Sequence, residues 1–345
     1  MAKNALSGLA SSGPIVVDGR SGVKITGLKI SNSGGPCILV RNGASNIEIS
    51  GNEIGPCSGD AVEVLGSNNV TVKGNNIADA QQTGIKVQDS SNINVVANFV
   101  DKAATAYRAV RSSRVTIDLN AAINIRGNFP DGQLAQLDNV TGAGNRVRCN
   151  ATDLSIGGPD PASTFATPSV RTEDMINTWQ SNGDGNDPIL IAYNRLKGGG
   201  SLTGSGIMSG DGGGSNISVI GNRIVNPWNA GIGVAGGQNI RIERNRVFSN
   251  MPAHIANEGF YVRNFTSEKA CTNIVHQNNE IKWPATDFST SGWTQTYWQP
   301  PSECSNVTGN STNNLNANLT AAIFSEPIAE CKALANGMGF ASTGW

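Results

Sequence analysis

Residues 204–224, GSGIMSGDGGGSNISVIGNRI, carry two patterns at once. The first is a short strand (Ile207, Met208, Ser209), a turn, a second strand at 216–220 and the closing Gly221-Asn222-Arg223-Ile224. That unit recurs along the chain. The second is Gly210-Asp211-Gly212-Gly213-Gly214, where most repeats carry an ordinary polar turn. A carboxylate flanked by residues without side chains is open to a ligand. The repeat speaks for the fold, and the departure from it for a site.

Working outward, GNEI, GNNI and ANFV place Asn52, Asn75 and Asn98 at a spacing of 23, and GNRI and RNRV repeat that spacing at Asn222 and Asn245. Alternating segments precede them: SNIEIS, NNVTVKG, SNINVVA, SNISVIG and QNIRIER. A second short strand follows each: AVEV, GIKV, GIMS, GIGV or GFYV. Strands this short, at this period and without two-residue hairpin turns, do not make a sandwich. They fit a solenoid in which each coil is one turn of backbone and equivalent strands stack in parallel. Ile85, Ile207, Ile232 and Phe260 then form one inward stack, and the asparagines form an amide ladder inside a turn. The predicted fold is all-β, a single-stranded parallel β-helix of about nine or ten coils in one domain, 1–345.

Coils of this form resemble the right-handed parallel β-helix superfamily, the pectate-lyase-like fold, over residues 15–128 and about 189–282. The resemblance implies a right-handed solenoid, a ligand groove along one outward sheet, and the company of secreted enzymes that cleave or epimerise polysaccharides. Phage tailspikes, adhesins and ice-binding proteins share the fold. The GHG and RIK strings of polygalacturonases, the RxPxxR of pectate lyases and the DPH of alginate epimerases are absent here.

Two segments break the repeat. Residues 129–188 read as an irregular excursion docked by Met175, Ile176 and Trp179. Residues 284–345 read as a loop followed by a short C-terminal helix with Ser325 as N-cap, Pro327 in the first turn and Gly337 after the last. Ile328, Cys331 and Leu334 share one face of that helix, which is expected to pack on or cap the terminal coils.

Composition narrows the function. A net charge of -1 argues against a nucleic-acid partner, which needs a basic surface. No apolar run approaches a membrane span. The opening MAKNALSGLASSGP is too polar for a secretory signal peptide, so either the protein is cytosolic or its leader lies outside this sequence. Six cysteines in pairs predict bridges Cys37–Cys57 and Cys271–Cys304, leaving Cys149 with Cys331, and so an extracellular or periplasmic location. Without a CxxC pair, and with His254 and His276 alone, zinc is not expected. No cofactor is predicted. Asn182, Asp184 and Asn186 alternate as calcium ligands would, but Asp187 stands where a calcium loop wants Gly and Tyr193 where it wants Glu, which leaves calcium a minor alternative.

The outward positions of the second strands are Glu63, Lys86, Arg108, Met208, Gly233 and Tyr261. They make a floor that is charged, then small, then aromatic, which suits a chain-like saccharide. Glu63 and Lys86 read equally well as solvated surface. Lys197, Trp228, His254, Asn257 and Glu258 come from flanking loops, and the excursion brings Arg171, Glu173 and Asp174. Trp228 would stack on a sugar ring or anchor its loop. Glycoside hydrolysis needs two carboxyl groups across the scissile bond. Asp211 is the first candidate, with Asp174, Glu173 or Glu258 as partner. Against this, Asp211 would bond amides of its own glycine turn, and Glu173 and Asp174 would cap a short helix at TEDMINTW. Elimination on a uronate chain is the alternative, with Arg171, Lys197, His254 and Tyr261 supplying charge and base. A passive binding helix is the third reading.

Overall fold

The computed structural model describes residues 3–127, 132–154, 172–201, 203–252, 256–267, 269–284, 295–300 and 302–340. The chain winds as a right-handed parallel β-helix. Its strands form three wholly parallel sheets of 12, 11 and 13 strands among the described residues.

Each coil is dictated by local chemistry. Asn46, Asn69, Asn92, Asn216, Asn239, Asn273 and Asn306 adopt φ between 51 and 55°, turning the chain into the thirteen-stranded sheet. Asparagine tolerates this left-handed conformation better than other side-chain-bearing residues. The following alternation then buries one face, Ile47 and Ile49, Val70 and Val72, or Ile93 and Val95. Each such side chain stabilises the stack by roughly 1.5–3 kcal/mol. In the eleven-stranded sheet the inward column runs Ile85, Tyr107, Ala135, Ile176, Ile207, Ile232, Phe260, Tyr297, each opposite the next. Small Ala135 sits beside bulky Tyr107, whose hydroxyl donates to the carbonyl of Ala121 at 3.0 Å.

The asparagine ladder is continuous from Asn52 to Asn313. Each Nδ2 donates to the next Oδ1 at 2.9–3.1 Å, through Asn75, Asn98, Asn120, Asn150, Asn194, Asn222, Asn245 and Asn279. The same Oδ1 accepts the backbone N–H of the residue before it in the ladder, as Asn98 does from Asn75. Replacing one by an apolar residue would orphan buried donors, at about 1–3 kcal/mol.

The ladder corrects the reading of 129–188 as irregular. Strands Ala135–Asp138, Arg146–Arg148, Ala151–Asp153 and Ile176–Trp179 keep the coils going. The spacing stretches to 30, 44 and 28 residues there, so a search at 23 loses the phase. Residues 284–345 likewise contain strands Gln295–Trp298, Ser305–Thr308 and Asn314–Leu315. The eleven to thirteen strands per sheet exceed nine or ten coils for the same reason. TEDMINTW forms no helix: its second half is strand, with Met175 and Ile176 in the core and Trp179 exposed.

The C-terminal helix spans Ala329–Gly337 with Ile328 at its N-cap; Ser325 instead ends the 3-10 turn Ala321–Phe324. It caps no end. Ile328, Cys331 and Ala335 pack sideways on Val96, Leu119 and Cys149 of earlier coils. All three expected disulfides form, Cys37–Cys57, Cys271–Cys304 and Cys149–Cys331, a pattern that points to an oxidising compartment.

Candidate active site

The outward row of the eleven-stranded sheet is Glu63, Lys86, Arg108, Gln136, Asn177, Met208, Gly233, Tyr261 and Trp298, each opposite the next. A cleft of about 760 Å³ lies over it from Arg108 to Trp298. Gln136, Asn177 and Trp298 were missed by sequence reading because they lie in the segments set aside as irregular.

Backbone geometry aims Asp211 into this cleft. Asn177 faces Met208, yet Trp179 faces Asp211, so strand Ser205–Asp211 carries one extra residue. A bulge of this kind inverts the alternation. Without it, Asp211 would point to the core. Gly210 sits in the bulge with φ 64°, and a Cβ there would meet the Gly236 carbonyl oxygen at 2.2 Å. Gly233 is needed for another close approach: a Cβ would lie 2.2 Å from the Tyr261 ring. Tyr261 thus leans back across Gly233, its hydroxyl donating to Met208 Sδ at 3.0 Å.

Asn177 joins two carboxyl groups. Its Nδ2 donates to Asp174 Oδ2 at 2.7 Å and to Asp211 Oδ2 at 2.8 Å. The second Asp174 oxygen accepts the Ser205 N–H at 2.7 Å. Burial pushes Asp174 up to about 8; Glu173 and Asp211 add to this, while the hydrogen bonds from Asn177 and Ser205 oppose it. Burial thus favours the protonated form of Asp174. Burial also raises Asp211, against hydrogen bonds from Asn177 and the Gly212 N–H. The bond to its own glycine turn and the place in the cleft thus coexist.

The other candidates divide. Glu173 spends its carboxylate on the hydroxyls of Ser201 and Thr203, at 2.6 and 2.7 Å. Glu258 is buried at the cleft wall and lifted by that burial to about 7. Met208 and Tyr261 form the floor, and the Tyr261 hydroxyl is raised well above its ordinary value by burial. Arg108 lines the cleft but pairs with Asp138 at 3.2 Å. Lys86 pairs with Glu63 at 2.9 Å and lines a smaller adjoining pocket.

Two candidates lie elsewhere. Lys197 belongs to strand Arg195–Lys197 of the twelve-stranded sheet, pairs with Asp153 and sits over the Phe324 ring. Trp228 is buried, wedged near Gly199, and anchors its loop. The exposed indole at the cleft is Trp179, resting on Gly212. Arg171 and His254 fall outside the described residues. At 182–187, Asp187 is engaged by Arg146 and the Gly144 N–H. No group of three His, Cys, Asp or Glu suited to a metal occurs among the described residues.

A family model described as "Right handed beta helix region" matches residues 13–155. Among solved structures, the chain is similar to the catalytic domain of a GH87 alpha-1,3-glucanase in complex with nigerose. That likeness has 14% identity and a TM-score of 0.53, over 89% of this chain and 58% of that one. It is also similar to DFA-IIIase from Arthrobacter chlorophenolicus A6, at 16% identity and a TM-score of 0.50, over 87% and 69%. This chain thus spans under two thirds of the first of these. No curated protein matches the sequence. At such identities the likeness concerns the fold.

Proposed function

We propose that the cleft hydrolyses glycosidic bonds within a neutral polysaccharide, with Asp174 as general acid and Asp211 as its partner. The observation that carries this reading is the Asn177 amide shared by a deeply buried and a more exposed carboxyl group. Contacts of 2.7 and 2.8 Å to one nitrogen hold the two Oδ2 atoms within about 5.5 Å of each other, the spacing for direct attack on the sugar carbon. Asp174 would give its proton to the glycosidic oxygen as the carbon–oxygen bond breaks. Asp211 would take the carbon, and water would then release the sugar with its configuration retained.

Charge disfavours elimination. Glu173, Asp174, Asp211 and Glu258 all line the cleft, and its cations are committed, Arg108 to Asp138 and Arg263 to Glu303. A uronate would add an anion, and no uncommitted cation lines the cleft among the described residues. Tyr261, the described candidate for a base, is shifted away from deprotonation. The saccharide-bound neighbours are consistent with a sugar ligand, and the disulfides with export from the cell.

The test is incubation with a panel comprising an α-1,3-glucan, an inulin, a β-glucan and a polyuronate. Reducing ends from a neutral polymer, with retained configuration by NMR, are expected. Absorbance of unsaturated uronates would transfer the site to elimination, and no product from any polymer would leave a passive binder.

A further inference from the structure

Among the described carboxyl groups of the cleft, Glu258 has no task in the hydrolytic reading and, unlike Asp138 and Glu173, leaves a buried oxygen without a partner. It lies far along the solenoid from the Asn177 bridge. Asp174 binds the N–H of Ser205, and Ser205, Ala230 and Glu258 face one another in successive coils. Glu258 is therefore three coils beyond Asp174, about 14 Å at the spacing of parallel strands. Its side chain is 4% exposed, and Oε1 has no hydrogen-bond partner. Arg263, whose charge acts on it, is committed elsewhere. The Arg263 guanidinium is held by Glu303 at 3.2 Å and stacked between the rings of Phe265 and Trp298, at 4.8 and 4.6 Å.

An acceptor buried without a donor costs about 1–3 kcal/mol, and a charged one costs more. Such a group persists where a ligand supplies the donor. Its surroundings describe that ligand. Asn229 and Asn257 flank it, joined by a side-chain hydrogen bond and by the Asn257 N–H to the Asn229 carbonyl at 2.8 Å. Tyr261 and Trp298 supply aromatic surface from the floor. Amides, a carboxyl group and ring faces together fit a sugar unit, whose hydroxyls donate and whose C–H faces stack.

Resting on the reading of the cleft as a saccharide site, we infer that Glu258 binds hydroxyl groups of a sugar unit remote from the bond that is cleaved. The cleft thereby measures chain length: a short oligosaccharide fills the Asn177 region without reaching Glu258, whereas a longer one spans both.

The experiment titrates α-1,3-gluco-oligosaccharides and inulin oligosaccharides, from disaccharide to octasaccharide, into the wild-type protein and the Glu258→Gln and Glu258→Leu variants by calorimetry, with kcat and KM measured in parallel. For the longest ligand, Glu258→Leu should weaken binding by roughly ten- to a hundred-fold, with Glu258→Gln in between, and kcat should change less than threefold. For the disaccharide the three proteins should agree. Equal melting temperatures exclude a folding effect, and the neutral Gln variant relieves rather than adds burial cost. Equal affinities at every length would overturn the inference. So would a kcat loss of a hundred-fold at unchanged KM, which would make Glu258 a catalytic residue. Long ligands held through Glu258 but never cleaved would uphold the inference and sink the hydrolase reading. No binding of any oligosaccharide would end both.

Discussion

One outward row on one sheet behaves in two ways. From Glu63 to Asp138 acids meet bases: Lys86 lies 2.9 Å from Glu63 and 3.8 Å from Asp60, and Arg108 lies 3.2 Å from Asp138. Further along, Asp174, Asp211 and Glu258 have no cation within 4 Å among the described residues. They meet an amide, backbone N–H groups or nothing. The scaffold under both stretches is the same. The difference lies in what burial does to an acid with no counter-charge: it keeps its proton or remains available to a ligand. Paired charges furnish the first stretch with a surface, while burial without a counter-charge raises the pKa of the acids in the second.

The sharpest way to break this contrast is to remove the unpaired acids. Asp174→Asn and Asp211→Asn should each lower kcat by about 100-fold or more, read as reducing ends from the polymer cleaved. Near-normal rates in both would place the chemistry elsewhere. Asn177→Ala removes the shared donor and should cost roughly ten- to a hundred-fold in kcat through misplacement of the pair. An unchanged rate would show that the bridge has no part in the reaction.

Stability against pH sharpens the contrast further. Asp174 releases its proton near 3.8 when unfolded and near 8 when folded. Between these values the folded state binds more protons, so stability is full below the lower value and declines as pH rises through the upper one. Glu258, at about 7 when folded, acts in the same direction. Thermal midpoints should therefore fall by several degrees from pH about 5 to about 9, and fall less in Asp174→Asn. The smallest effect belongs to the paired stretch. Glu63→Gln should leave kcat within about twofold, since it sits coils away from Asn177 and a half-exposed ion pair contributes about 0–1 kcal/mol.

How much of this was legible in the sequence follows from what sets the phase. Asn52, Asn75, Asn98, Asn222 and Asn245 announced the ladder because their coils carry no insertions. Asn150 and Asn194 belong to it equally, but a 44-residue interval separates them. The ladder needs an amide at each corner and is indifferent to the length of loop between corners. Asn177, Gln136 and Trp298 went unseen for that reason. Asp211 stands out because glycines flank it, and Asp174 because it lies with Glu173 in a segment long enough to fold over the groove. Lys197 misled for another reason. A coil presents three outward faces, and a three-residue strand such as Arg195–Lys197 does not reveal in its own sequence which face it occupies.

The sideways docking of the C-terminal helix has a mechanical consequence. A stack of coils ordinarily peels from its ends, because each layer touches only its neighbours. Here Cys331 returns to Cys149, 182 residues back, so everything from Cys149 to Cys331 belongs to a covalently closed ring. Asp174, Asn177, Asp211, Glu258 and Trp298 all ride inside that ring. A tug on the chain's tail is delivered to the middle of the solenoid, and the last coils, which bear the cleft wall, are shielded from being unwound like thread from a spool.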